Sequence, residues 1–187
     1  MAKKILGNWN TRTIVGVAIG VALFGVLMVY GGVKVFTNTS LTSAYVVVAV
    51  VAALFGPVPA AITAGLGNVL ADLIGGWGMW FDWSLGNLVL GFCTGLGCVL
   101  GSNVKEGVFN TKSAITYAIF VLIGCGLGFG VVTPILTYFF YSSELTITWG
   151  QVTAAIISDG LVLLVVGIPL LIALANRNKK FTGLSKD

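Results

Sequence analysis

Six apolar runs separated by short polar or aromatic stretches organise the chain, at residues 13–32, 43–55, 58–74, 84–100, 113–136 and 151–175. Most approach the roughly 20 apolar residues that a helix needs to cross a hydrocarbon core of about 30 Å. The alternating ten-residue segments of a membrane β-barrel are missing. The pattern predicts an all-α membrane protein, a single six-helix membrane domain. The second run is short and stops at Gly56-Pro57. Proline lacks an N–H and biases the residue before it away from helix, so the chain turns there. The third run breaks at Gly75-Gly76.

Three connections stand out. Val33–Thr42 is polar, with Lys34 and Asn38, and reads either as a plain connector or as a lid. GGWGMWFDW follows the third run and holds Trp77, Trp80, Phe81, Asp82 and Trp83. Residues 137–150 carry Tyr138, Phe139, Phe140, Tyr141 and Trp149. These two aromatic stretches read either as an interfacial belt or as stacking walls at the mouth of a pocket.

Composition supports the membrane assignment. The chain is 57% hydrophobic and 9% charged, against about 25% charged in soluble domains. Placement of charge says more than the net +4. Lys3, Lys4 and Arg12 precede the first run, Lys105 and Lys112 share one connection, and Arg177, Lys179, Lys180 and Lys186 form the tail. Basic residues mark cytoplasmic loops, so both termini are expected inside. The basic tail reads as a membrane anchor, not as a nucleic-acid site. Cys93, Cys98 and Cys125 lie within apolar runs and read as packing residues, with no metal site or disulfide framework. With no histidine, no catalytic set and no cofactor motif is expected. The alternating glycines at 124–130 are not followed by the Lys-Ser/Thr of a nucleotide loop, so the chain cannot itself use ATP.

Ionisable residues inside apolar spans mark function by default. Asp72 ends the third run, with Asn68 four residues earlier on the same helix face. Asp159 lies eight residues past Gln151, which places it about 12 Å below the outer end of its span at 1.5 Å per residue. Asn87 is expected at similar depth. No Lys or Arg inside a span is available to either aspartate. These residues suggest a pocket open to the outside, with Asp159 as the main anchor, Asp72 at the rim, and Asn68 and Asn87 as further polar groups. Trp80, Trp83, Tyr138 and Trp149 would form its walls, and Asn38 would join from the first connection. On the first run, Gly16 and Gly20 make one small-xxx-small pair, and Ala18 and Ala22 another. Such pairs let a second helix approach closely, from the same chain or from another subunit.

The Leu54–Pro57 turn, the small residues leading to Asn68 and Asp72, six spans in under 200 residues, and Ala18-x-x-x-Ala22 together resemble the S components of energy-coupling-factor vitamin transporters. The resemblance covers Thr13 to Lys180. It implies a vitamin-binding subunit in a bacterial plasma membrane that captures its ligand on the outer side. Ala18 and Ala22, with Gly16 and Gly20 beside them, would dock onto a transmembrane coupling subunit driven by two cytoplasmic ATPases. Asn38 would lie in a gating loop. Among ligands, hydroxymethylpyrimidine or pyridoxine is expected ahead of riboflavin, and riboflavin ahead of cobalamin. Two other classes compete on the same residues: a standalone secondary transporter with a proton-carrying aspartate, and a structural membrane protein without a ligand.

Overall fold

The computed structural model describes residues 5–37, 39–142 and 145–184. Among these are six helices: α1 (Thr11–Tyr30), α2 (Ala44–Phe55), α3 (Pro57–Gly75), α4 (Phe81–Gly101), α5 (Thr111–Tyr141) and α6 (Leu145–Leu184). A π-helical turn interrupts α5 at Gly128–Val132 and α6 at Val162–Gly167. Five of the six are long and apolar enough to cross a membrane; α2 is shorter. Its twelve residues reach only about 18 Å.

Between α1 and α2 the chain forms an antiparallel hairpin, β1 (Gly32–Phe36) and β2 (Thr39–Thr42), with a bulge between Lys34 and Phe36. The segment read as a connector or a lid is therefore a small sheet. Its base is pinned to the end of α1, because Thr42 Oγ1 donates to the Leu27 carbonyl at 2.8 Å and Ser43 N–H to the Gly31 carbonyl at 3.0 Å. Two other connections are shorter than expected. Helix α4 already begins at Phe81, and α5 continues to Tyr141. The aromatic residues 138–141 are thus helical. Local chemistry explains the boundaries. Asn10 and Asn110 cap α1 and α5 by accepting the N–H of Thr13 and Ser113. Gly56 takes φ +99°, open to glycine at little cost, and Pro57 opens α3 where its missing N–H is harmless.

Helix α3 packs against α1 on one side and α4 on the other, and α4 packs in turn against α5. Small residues set both contacts of α3. A Cβ at Gly91 would lie 2.6 Å from the Ala60 carbonyl oxygen, and one at Gly95 would strike the Pro57 backbone. On the opposite side, Gly20 meets Thr63 and Val51, Gly25 meets Leu70, and Gly67 receives the Phe24 ring. Large apolar side chains outside the bundle, such as Ile14, Ile19 and Leu23 on α1 and Ile115, Ile119 and Leu122 on α5, remain exposed. A lipid-facing surface requires this pattern, since lipid tails supply no hydrophobic drive between helices and close packing must do so.

Because the obstacle at Gly95 is backbone, Gly95→Val should lower the thermal unfolding midpoint in detergent by about 2–12 °C. Overpacking costs roughly 1–3 kcal/mol, and each kcal/mol is worth about 2–4 °C at this size. Gly126→Ala, whose Cβ meets nothing within 4 Å, should leave the midpoint unchanged.

Candidate functional site

A cavity of about 260 Å³ opens at the end of the bundle where α1 and α3 finish and α2 and α4 begin. Helix α3 supplies Asn68 and Asp72, and the following loop and α4 supply Trp77, Trp80 and Trp83. From α6 come Gln151, Ala155 and Asp159, four residues apart and so on one face. Met28 of α1, Tyr45 of α2, and Lys34, Thr39 and Ser40 of the hairpin complete the wall.

Behind this lining runs a chain of buried hydrogen bonds. Tyr45 Oη donates to Asn87 Oδ1 at 2.9 Å. Asn87 Nδ2 donates to Asn68 Oδ1 at 3.1 Å and to the Trp83 carbonyl at 3.0 Å. Asn68 Nδ2 donates to Ser84 Oγ at 3.1 Å, and Ser84 donates to the Trp80 carbonyl at 3.2 Å. Two backbone carbonyls, which can only accept, fix the direction of every bond in the chain. Asn68 therefore presents the rest of its amide to the cavity in one orientation. Asp159 is buried, accepts from Ser158 Oγ at 3.1 Å, and lies against the Tyr45 hydroxyl.

Asp72 has a different environment. Its Oδ2 accepts the Trp80 N–H at 2.9 Å, and its carbonyl accepts the N–H of Gly76 and of Trp77. The side chain thereby shapes the tryptophan loop. Tyr141, from the end of α5, holds that loop from the other side: its hydroxyl accepts the Phe81 N–H at 3.1 Å and donates to the Met79 carbonyl at 3.0 Å. Asp82, expected in an external loop, is instead wholly buried in the first turn of α4 and accepts a hydrogen bond from Thr137. A carboxylate there also benefits from the positive end of the helix dipole.

Of the residues expected at the site, Asp159, Asn68, Asp72, Trp80 and Trp83 line the cavity together. Asn87 is one layer behind, joined to Asn68 and Tyr45. Tyr138 (56% exposed) and Trp149 (49% exposed) lie outside the lining. Asn38 falls outside the described residues. Asp159 sits deeper along its helix than expected. Helix α6 begins at Leu145, so Asp159 is about 21 Å along it at 1.5 Å per residue. Lys34, which lies in the hairpin and not in a span, shares the cavity wall with both aspartates. Sequence reasoning missed Tyr45, Gln151 and Ala155. Gln151 and Ala155 were available from the four-residue spacing back from Asp159.

The two small pairs on α1 separate. Gly16 and Gly20 face inward, where a Cβ would meet the Phe55 ring and Thr63 respectively, so their place in an external dock is corrected. Ala18 and Ala22 lie on the exposed face of α1, among Ile14, Ile19 and Leu23.

A helical membrane bundle with one aromatic, polar-anchored cavity at its end defines a substrate-binding membrane subunit. The chain belongs to the ECF-type riboflavin transporter S component family, whose model matches residues 8–176. It is therefore the binding component of a transporter and not an enzyme. A UPF0397 protein of Vibrio vulnificus is 32% identical over 182 residues, covering 96% of this chain and 99% of its own. UPF0397 proteins of Aliivibrio salmonicida and Vibrio atlanticus are each 31% identical over the same length. No solved structure is significantly similar to the chain.

Asn87→Leu would leave Asn68 Oδ1 without its donor in the interior, while the Tyr45 hydroxyl keeps Asp159 as a partner. Each buried polar group left unpaired costs about 1–3 kcal/mol. The ligand-free protein should lose about 1–3 kcal/mol, read as a lowered unfolding midpoint in detergent.

Proposed function

We propose that this S component captures a small, single-ring heteroaromatic vitamin or precursor bearing hydroxymethyl groups, such as hydroxymethylpyrimidine or pyridoxine. The observation that carries this reading is the cavity itself. At about 260 Å³ it falls just below the roughly 300–1,000 Å³ of ordinary small-molecule pockets. Its three tryptophans can sandwich a ring. Asp159, Asn68 and Gln151 offer acceptors and donors from two sides to ring nitrogens and hydroxyls. A second reading, riboflavin, is favoured by the description of the matched family. It requires the hairpin wall to move outward.

The cavity faces the outside and both termini the cytoplasm in this reading, consistent with Lys105, Lys112, Arg177 and Lys179 at the opposite end. Delivery follows docking through Ala18 and Ala22 onto a membrane coupling subunit powered by two ATPases. The Ala18/Ala22 face supports this because it alone of the two small pairs is free.

Purified protein should show quenching of tryptophan emission by one of hydroxymethylpyrimidine, pyridoxine or riboflavin at submicromolar concentration. A flat response to all three would defeat the proposal. Saturation by riboflavin alone would select the second reading. Asp159→Ala should weaken binding of the active vitamin about two- to tenfold, the net value of one lost hydrogen bond. Ala18→Trp should leave binding intact and abolish uptake by cells that carry the coupling subunit and ATPases. Loss of binding in Ala18→Trp would instead place that residue in the fold.

A further inference from the structure

A second cavity, of about 310 Å³, lies at the opposite end of the bundle, where α1 begins and α2 ends. It is lined by Arg12 and Thr13 of α1, Asn8 and Asn10 before it, Leu54 and Phe55 of α2, Lys105 and Asn178. Arg12 is about 24 Å along α1 from Met28, at 1.5 Å per residue, so the two cavities are separate.

The chemistry of this lining is one-sided. Two cations face the same space, no carboxylate lines it, and neither cation has an ion pair among the described residues. Lys105 is held over the Phe55 ring, its Nζ 5.9 Å from the centroid. Partial burial and the nearby Arg12 charge push its ammonium below the usual lysine range. Like charges brought together without a counter-ion favour an anion between them. The amide of Asn10 adds to this. Its Oδ1 is already used as acceptor by the N–H and the hydroxyl of Thr13, at 3.0 and 3.2 Å. What remains for the cavity is the NH₂ group, which only donates. The cavity thus offers guanidinium, ammonium and amide donors, a set that matches an oxyanion with several acceptor oxygens and the forked geometry of arginine with phosphate.

Its position indicates where the phosphate comes from. The cavity sits where the chain leaves its spans, beside the exposed Leu6 and Trp9 and below the exposed Ile14 and Val15 of α1. A headgroup in the cavity would have its acyl chains lying along that apolar face. Tryptophan is favoured at this interfacial depth, and basic pockets on the cytoplasmic side hold anionic headgroups.

We propose that Arg12, Lys105 and the Asn10 amide form a binding site for a phosphate ester, occupied in the membrane by the headgroup of an anionic phospholipid. The site is independent of the vitamin cavity.

The test is a titration of full-length protein in neutral detergent, with bound lipid counted by native mass spectrometry. Phosphatidylglycerol should be retained at least tenfold better than phosphatidylcholine, whose quaternary ammonium opposes the two cations. Arg12→Gln with Lys105→Gln should erase that preference, and Arg12→Lys with Lys105→Arg should keep it, which separates charge from folding. Inorganic phosphate distinguishes the two sources. Failure of millimolar phosphate to displace the lipid supports the headgroup. Displacement, lost in the Gln pair, would assign the site to soluble phosphate and overturn the lipid assignment. Equal retention of phosphatidylglycerol by the wild type and the Gln pair, or no preference over phosphatidylcholine, would overturn the site altogether.

Discussion

In lipid, an apolar side chain gains nothing by leaving its surroundings for the interior of a bundle, so helices hold together only as far as their backbones can approach. Everything else here depends on that approach around α3. Glycines 91 and 95 of α4 admit its first turns on one side, and Gly20 and Gly25 of α1 admit its Thr63 and Leu70 on the other. Only because the backbones are this close do Asn68 and Asp72 reach Ser84, Asn87 and the Trp80 N–H directly. Larger side chains at the glycines would push these partners apart and leave the amides unpaired.

The second requirement is that polar groups inside the bundle satisfy one another. Each unpaired group in a low-dielectric interior is costly, while a completed network fixes a single arrangement. The Tyr45–Asn87–Asn68–Ser84 chain ends on two backbone carbonyls. It therefore links helices α2, α3 and α4 and presents one amide to the cavity. Asp159, on α6, meets this chain through Tyr45. The same contacts stabilise the fold and set the hydrogen-bonding pattern that a ligand encounters.

Much of this could be read from the chain alone, for a physical reason. Apolar runs near the thickness of a bilayer fix the number of helices, and isolated aspartates within them fix candidate anchors. Strands of five and four residues with polar members carry no such signal, so the segment reads as a connector or a lid and not as a sheet. Lys34 lies outside any span, and only the folded hairpin brings it to the cavity wall. Tyr45 is unremarkable in sequence, a tyrosine near the start of an apolar run; only the fold sets it beside Asp159. The two small pairs on α1 were separable in principle. Positions 18 and 22 are offset by two residues from 16 and 20, about 200° around a helix, so both pairs cannot serve one face.

The tryptophan loop is tied at several points: Asp72 accepts from it twice through the main chain and once through the side chain, Trp80 Nε1 donates to the Trp77 carbonyl, and Tyr141 bridges Met79 and Phe81. The facing wall is a two-stranded hairpin whose first strand is exposed along its length. One side of the cavity is thus preorganised before any ligand arrives, and little entropy remains to be lost there. In the proposed capture of a ligand, the ordering cost would fall on the hairpin. Affinity and residence time would then be separable properties, one set by the tryptophans and buried amides, the other by the hairpin between α1 and α2.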